Sequence, residues 1–296
     1  MASPFRPLAG TRVLSLCLNL PGPAALMRCR SMGATCVKLE PPSRDPMALY
    51  NPAAYEQLHE GVTVRQADLK TEAGQQVLHG ELAKTQVLLT SFRPSALHKL
   101  GLAWKTLHSR YPTLSQVAIV GGPGAQAEAP GHDLTYLAAN GLVTGTDLPP
   151  TLYADMSGSL MAAEAVLQAA LHQAERYAGS GDTHPDGRYL EVALSDAAAY
   201  LALPRRWGLT QPRGAVGGAH AGYRIYPCQD GRVAVAALEP HFAAALCAAA
   251  GVGASDIQAM FAPATHEAVA AFMRTRTRAE LDRLARERDI PLHTLA

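Results

Sequence analysis

Nothing in this chain is long and apolar enough to span a bilayer. No uncharged apolar run reaches the roughly 18 residues a membrane helix needs, and the alanine-rich stretch from Leu160 to Leu171 is interrupted by Glu164 and reads as a buried helix. Residues 1–16 lack the apolar core of a secretory leader. Cysteine is scarce as well. The five residues, at 17, 29, 36, 228 and 247, are an odd number and include no C-x-x-C pair. A disulfide framework and a zinc site are therefore not expected, and reduced thiols in a cytoplasmic protein fit the pattern. Charge of one sign is missing too. The formal net charge is +1 and no basic block occurs, so neither a nucleic acid nor a membrane is an expected partner. There is no internal repeat and no low-complexity tail.

What is present is a β/α alternation. Residues 11–20 read as a short buried strand running into Pro21-Gly22-Pro23, and a helix follows over 24–32. Gly33 suits the position after that helix, where a positive φ is needed. Thr35 to Glu40 reads as a second strand closed by Pro41-Pro42, which completes a βαβ unit with a right-handed crossover. Helical spacing over 71–82, an apolar strand over 86–90, a short helix over 95–100 and strands over 114–120 and 188–194 continue the series, with Ser195 or Asp196 placed to cap the next helix. This predicts an open α/β sheet in a large domain of residues 1–203. The Arg-, Gly- and Pro-rich stretch 204–222 reads as a linker. Beyond it, Asp230-Gly231 lies between two strand-like runs, a hairpin signal, and the pattern from His241 onward is helical to the end. Residues 223–296 are thus a small α+β domain.

The residues with the most chemistry are Pro130-Gly131-His132-Asp133-Leu134-Thr135-Tyr136 and, some twenty positions on, Asp155. A histidine after a glycine turn and a separate carboxylate can supply two acid/base groups to one pocket. Histidine titrates nearest to neutrality, and a carboxyl group can join it if burial raises its pKa. Structural uses compete with this one. Asp155 also suits the N-cap of the apolar helix that follows. Glu239-Pro240 suits a helix start, Arg93 before Pro94 a solvated loop, and Lys38 with Glu40 a plain strand edge. The remaining histidines, His59 among them, show no metal-ligand spacing and read as surface or core residues. Met47, Met156 and Met161 suit an acyl pocket or, more simply, the core.

Several phrases, in order and spacing, resemble the class III CoA-transferase family. They are Pro7 to Leu14, Met32-Gly33-Ala34 with Val37-Lys38-Leu39-Glu40, Ala67-Asp68-Leu69-Lys70-Thr71, Phe92-Arg93-Pro94 with Lys99-Leu100-Gly101-Leu102, and Gly231-Arg232 with Ala237-Leu238-Glu239-Pro240. The resemblance implies a Rossmann-like large domain that binds CoA, a smaller α+β domain that closes the pocket, and an interlocked homodimer. His132 resembles the α-methylacyl-CoA racemase branch. That implies inversion of the α-carbon of a 2-methyl-branched acyl-CoA by His132 and Asp155, with Glu239 orienting and charging His132, and with no metal or redox cofactor. It also implies CoA contacts from Ala67, Asp68, Leu69 and Lys70, from Ser91, Phe92, Arg93 and Lys99, and from Gly131, Asp133, Leu134, Thr135 and Tyr136. Arg93, Lys99 and Lys70 are sensible counter-charges for phosphates, and backbone N–H groups near Gly131 for a thioester oxygen that gathers negative charge.

The sequence departs from the family pattern in three places. Glu60 stands where a positive charge is common, leaving Arg65 as the nearest replacement. The loop between Gly141 and Asp155 is short. The segment that returns to the large domain in family members is not in this sequence. Two rival functions follow: a CoA-transferase using Asp155 as nucleophile, and a CoA-binding protein without turnover. The resemblance implies some other residue than histidine at position 132 and a glycine-rich loop in a transferase, which favours the racemase.

Overall fold

The computed structural model describes residues 5–180, 186–253 and 257–296. The chain divides into two compact units, one up to Ala202 and one from Leu203.

The first unit is built on a six-stranded parallel sheet. Its strands are β1 (Arg12–Ser15), β2 (Thr35–Glu40), β3 (Thr63–Gln66), β4 (Val87–Thr90), β5 (Ser115–Val120) and β6 (Tyr189–Ala193). They lie in the order β3-β2-β1-β4-β5-β6. The connecting helices are α1 (Pro21–Ser31), α2 (Met47–Tyr50), α3 (Pro52–Leu58), α4 (Glu72–Leu82), α5 (Pro94–Lys99), α6 (Trp104–Arg110), α7 (Asp133–Ala139), α8 (Tyr153–Ser180) and α9 (Leu194–Leu201). Parallel strands need helical crossovers, and these cover both faces of the sheet. β4 and β5 are accordingly buried along their whole length. Alternation along the strands sorts their side chains into two cores. Val13, Val87, Leu89, Val117 and Ile119 face α1 and α8. Leu14, Leu88, Val37 and Leu39 face α4, α5 and α6. On α8 the buried positions are small (Ala162, Ala163, Ala165, Ala169, with Val166), so its backbone can approach the strands closely.

Several expectations shift in detail. β1 ends at Ser15 rather than continuing to residue 20. Leu16 still donates to Leu89 across the ladder at 2.9 Å, after which the chain leaves the sheet. α1 begins three residues early, with Pro21 at its first position, where the missing N–H costs nothing. Gly33 has the expected positive φ, +100°. β3 was not legible because all four of its residues are exposed on an edge strand. α2, α3 and α6 were equally unseen; each has one buried residue and so no apolar stripe. α9 is capped by Ala193, not by Ser195 or Asp196, which lie inside it.

The second unit contains α10 (Leu203–Arg206), the antiparallel strands β7 (Tyr223–Cys228) and β8 (Gly231–Ala236), helices α11 (Pro240–Ala249), α12 (Pro263–Arg274) and α13 (Arg278–Arg288), and β9 (Leu292–Leu295). The expected hairpin is present, with Cys228 facing Gly231 across the turn. The expectation of helix to the end is corrected. Asp289 turns left-handed at φ +51°, Pro291 cannot continue a helix, and β9 pairs with β8 in the register Arg232↔Leu295. Four residues are too few for alternation to distinguish a strand. Residues 204–222, expected as a linker, hold most of α10 and a 3-10 turn at Ala215–Gly217.

Candidate active site

The order of the sheet decides where a site can form. The chain moves outward from β1 to β3 and then returns to place β4 on the other side of β1. Connections leave β1 and β4 in opposite directions, which opens a crevice at their carboxyl ends. A cavity of about 330 Å³ lies there, lined by Leu18, Asn19 and Pro21 after β1, Ser91, Phe92 and Arg93 after β4, and Gly121 after β5. Gly131, His132, Tyr136 and Asp155 complete the wall. Seven of the residues singled out from sequence thus meet at one place: Ser91, Phe92, Arg93, Gly131, His132, Tyr136 and Asp155.

His132 is the N-cap residue of α7, in extended conformation at φ −142° and ψ 168°. Its main chain is held by Thr135. The His132 N–H donates to Thr135 Oγ1 at 3.1 Å, and that hydroxyl donates to the His132 carbonyl at 2.7 Å. The residue is exposed and lines the cavity. Thr135 therefore serves the backbone of the turn, and Leu134 is exposed beside it.

Asp155 is the third residue of α8, not its cap. Its own N–H is satisfied by Asp133, whose Oδ1 accepts from it at 3.0 Å. Asp133 is buried and turned toward α8. Burial pushes the Asp155 carboxyl up to about 6; the negative charge of Asp133 adds to this and His132 opposes it. Tyr136 is also raised, by burial first and then by the charge of Asp155, with Arg93 opposing. Its ring is seated between two glycines. A Cβ on Gly131 would stand 2.6 Å from the ring edge, and one on Gly121 would collide with the hydroxyl.

A second cleft, of about 520 Å³, is lined by Leu69, Lys70, Thr71, Glu72 and Gln75 on one side and Ala96, Lys99 and Leu100 on the other. Gln75 ties the two sides together, donating from Nε2 to the carbonyls of Leu69 at 2.6 Å and Leu100 at 3.5 Å. α5 links this cleft to the first cavity. Arg93 stands at its head and Lys99 at its tail, about 9 Å apart along the axis at 1.5 Å per residue. Ala67 and Asp68 shape the loop instead. Ala67 belongs to the core, and Asp68 Oδ1 accepts from the Lys70 N–H at 3.0 Å. Arg65 does not replace the charge missing at Glu60, because its guanidinium pairs with Glu81 at 2.8 Å. Glu239 belongs to the second unit, exposed at the head of α11.

Two features beside the cavity carry no motif in the sequence. The first is the loop Leu18-Asn19, whose only signal is that it follows the first strand. The second is a buried charged group. Lys38, Glu40, Asp45 and His59 are all buried, so Lys38 and Glu40 are not a strand edge and His59 is not at the surface. Glu40, Asp45 and His59 are, among the described residues, the set whose donor atoms are close enough to share a metal ion. The position between them is filled by the Lys38 ammonium, which pairs with both carboxylates and lies 2.9 Å from His59 Nε2.

Comparison with known proteins agrees with this architecture. The model of CoA-transferase family III matches residues 8–296. The chain belongs to that family. Among its relatives is the probable fatty acyl-CoA transferase Rv3272 of Mycobacterium tuberculosis, 31% identical over 68% of this chain and 53% of that protein. A cinnamoyl-CoA:phenyllactate CoA-transferase of Clostridium sporogenes is 30% identical over 65% of this chain and 50% of that protein. The chain thus spans about half the length of these curated relatives. The α-methylacyl-CoA racemase of Mus musculus is 28% identical over 87% of this chain and 68% of that protein. The crystal structure of Rv3272 superposes with a TM-score of 0.82 at 24% identity, covering 99% of this chain and 86% of that one, and shares the family III fold. Both racemases and transferases are therefore similar to this chain. Among its described residues, no helix is long and apolar enough to cross a membrane.

Proposed function

We propose that this family III protein inverts the α-carbon of an acyl-CoA thioester, of which 2-methyl-branched acyl groups are the fitting class. The observation that carries this reading is that His132 and Asp155 line one cavity and that the Asp155 carboxyl is raised to about 6. A carboxyl group titrating there is present in both forms near neutrality, so it can give a proton or take one.

In this reading CoA lies along α5, its phosphates held by Lys70, Lys99 and Arg93 and its thioester in the cavity. Counter-charges on flexible stems suit phosphates. For one epimer His132 removes the α-proton, the electron pair passes onto the thioester oxygen, and Asp155 delivers a proton to the opposite face. For the other epimer the roles exchange. Backbone N–H groups at Gly131 take the charge that develops on the oxygen. A homodimeric assembly belongs to the same reading and rests on the family resemblance.

A transferase is the second reading, favoured by the relatives of that name at 30–31% identity. Asp155 would attack the thioester carbonyl and expel CoA thiolate to leave a mixed anhydride. The thiolate would then attack the Asp155 carbonyl, releasing the free acid and leaving an enzyme-CoA thioester. Incubation with acyl-CoA in the absence of an acceptor acid, followed by intact-mass measurement, separates the two. The racemase reading expects no covalent CoA on the protein; an adduct that maps to Asp155 contradicts it.

A further inference from the structure

The proton chemistry uses none of Lys38, Glu40, Asp45, Tyr55 and His59, yet the sequence places three charges among them inside the fold. Their polar atoms are paired throughout. The Lys38 ammonium has three donors and three partners: Asp45 Oδ2, Glu40 Oε1 at 3.0 Å and His59 Nε2 at 2.9 Å. With Nε2 accepting, His59 keeps its proton on Nδ1, which donates to the Tyr55 carbonyl at 2.7 Å. Glu40 also accepts from the Tyr55 hydroxyl at 2.9 Å. A buried ion pair gains little net stability over apolar residues of the same volume, and its best-attested use is to fix one geometry. Where this one leads is therefore informative.

It leads to the wall of the active-site cavity. The Asp45 carboxylate accepts from the Asn19 N–H at 3.1 Å and from the Met47 N–H at 2.9 Å. Asn19 is left-handed at φ +62°, and so is Arg44, next to Asp45, at φ +66°. Outside glycine such residues are uncommon, and they persist where surrounding structure holds them. Leu18 and Asn19 form one side of the cavity that His132 and Asp155 face. β1 stops short of this loop, so sheet pairing does not hold Asn19; Asp45 does.

We propose that the buried Lys38–Asp45 ion pair is a positioning device for the active site: Asp45, fixed by Lys38, holds the Asn19 amide and with it the left-handed turn that walls the reaction cavity. Lys38 and Asp45 are positioning residues, not catalytic ones. The proposal rests on the reaction cavity assigned above, although its first readout does not depend on which reaction occurs there.

The test uses the full chain with three substitutions. Asp45→Asn keeps the shape but loses the charge facing Lys38. Asn19→Val leaves the buried group intact, but a β-branched residue resists φ +62°. Leu82→Ala opens the core beside α4 and serves as the control for plain destabilisation. Amide hydrogen exchange of residues 16–20 is measured beside melting temperature, kcat and KM. Asp45→Asn and Asn19→Val should each speed exchange in this loop about tenfold or more, with α8 unchanged, and lower kcat about tenfold with a smaller change in KM. Leu82→Ala should lower the melting temperature and leave loop exchange and kcat as they were. If Asp45→Asn does not fold, Asn19→Val alone decides. The proposal is overturned if the loop variants behave like Leu82→Ala. Should the native protein lack the proposed reaction, faster loop exchange in Asp45→Asn still supports the positioning role, and unchanged exchange overturns it.

Discussion

The main-chain N–H of Asp155 donates to the carboxylate of Asp133, 3.0 Å away. One carboxylate thus satisfies a helix donor of α8 and sets a like charge beside the group that would move protons. Removing that charge while keeping the acceptor should separate the two effects. Asp133→Asn is expected to bring the Asp155 pKa down from about 6, since a neighbouring negative charge is one of its causes. The acidic limb of the pH–rate profile should shift to lower pH. A limb that stays in place would mean that Asp133 does not tune Asp155.

The raised pKa of Asp155 also has a cost in stability. A carboxyl group whose pKa is higher folded than unfolded favours folding while protonated. That contribution is complete below about 4 and is lost as the pH climbs through about 6. Asp155→Asn cannot ionise and should escape the loss. The variant is expected to be more stable than the native protein at pH 7–8 by about 1–2 kcal/mol, a figure reduced for partial exposure. The gap should close toward pH 4. Denaturant titrations at both pH values check this; equal stability at pH 8 would count against a raised pKa.

Tyr136 occupies its place because two glycines make room for it. Gly131→Ala puts a methyl group 2.6 Å from the ring, which must then move. Overpacking of this kind costs about 1–3 kcal/mol. Turnover should fall about tenfold or more, because the displaced ring and His132 share one turn. Adding Tyr136→Phe should recover only part of each, since the ring edge and the hydroxyl both stand 2.6 Å from the new methyl group and only the hydroxyl is removed. Full activity in Gly131→Ala would show the seating to be unimportant.

Lys70 and Lys99 line the same cleft at the far end of α5 from Arg93. If they hold phosphates, Lys70→Ala or Lys99→Ala should raise KM for acyl-CoA about tenfold, equivalent to about 1.4 kcal/mol, with little change in kcat. The effect should shrink as salt is added. Titration calorimetry with free CoA at two salt concentrations checks it. A change in kcat alone would move these lysines out of the binding role.

How far the sequence could be read follows from physical scale. The parallel sheet was legible because buried strands such as Val87–Thr90 and Ser115–Val120 are apolar throughout. β3 was not, since an exposed edge strand has no apolar run, and β9 was too short to alternate. His132 and Asp155 stood out by residue type and by resemblance. Asp133 did not stand out as a cap for another helix, because that partnership joins residues 22 positions apart through the fold. Lys38 and Glu40 suited a plain strand edge. Their burial depends on Asp45, His59 and Tyr55 closing over them, and no spacing in the sequence announces that.

If His132 and Asp155 exchange the α-proton of an acyl-CoA, solvent deuterium enters at the α-carbon of a 2-methylacyl-CoA in D₂O, which NMR or mass spectrometry follows, with His132→Ala and Asp155→Ala alongside. Exchange accompanied by epimerisation in the native protein, and lost in both variants, is the expected result. No exchange in the native protein, with CoA passing instead from the thioester to an added acid, would contradict it.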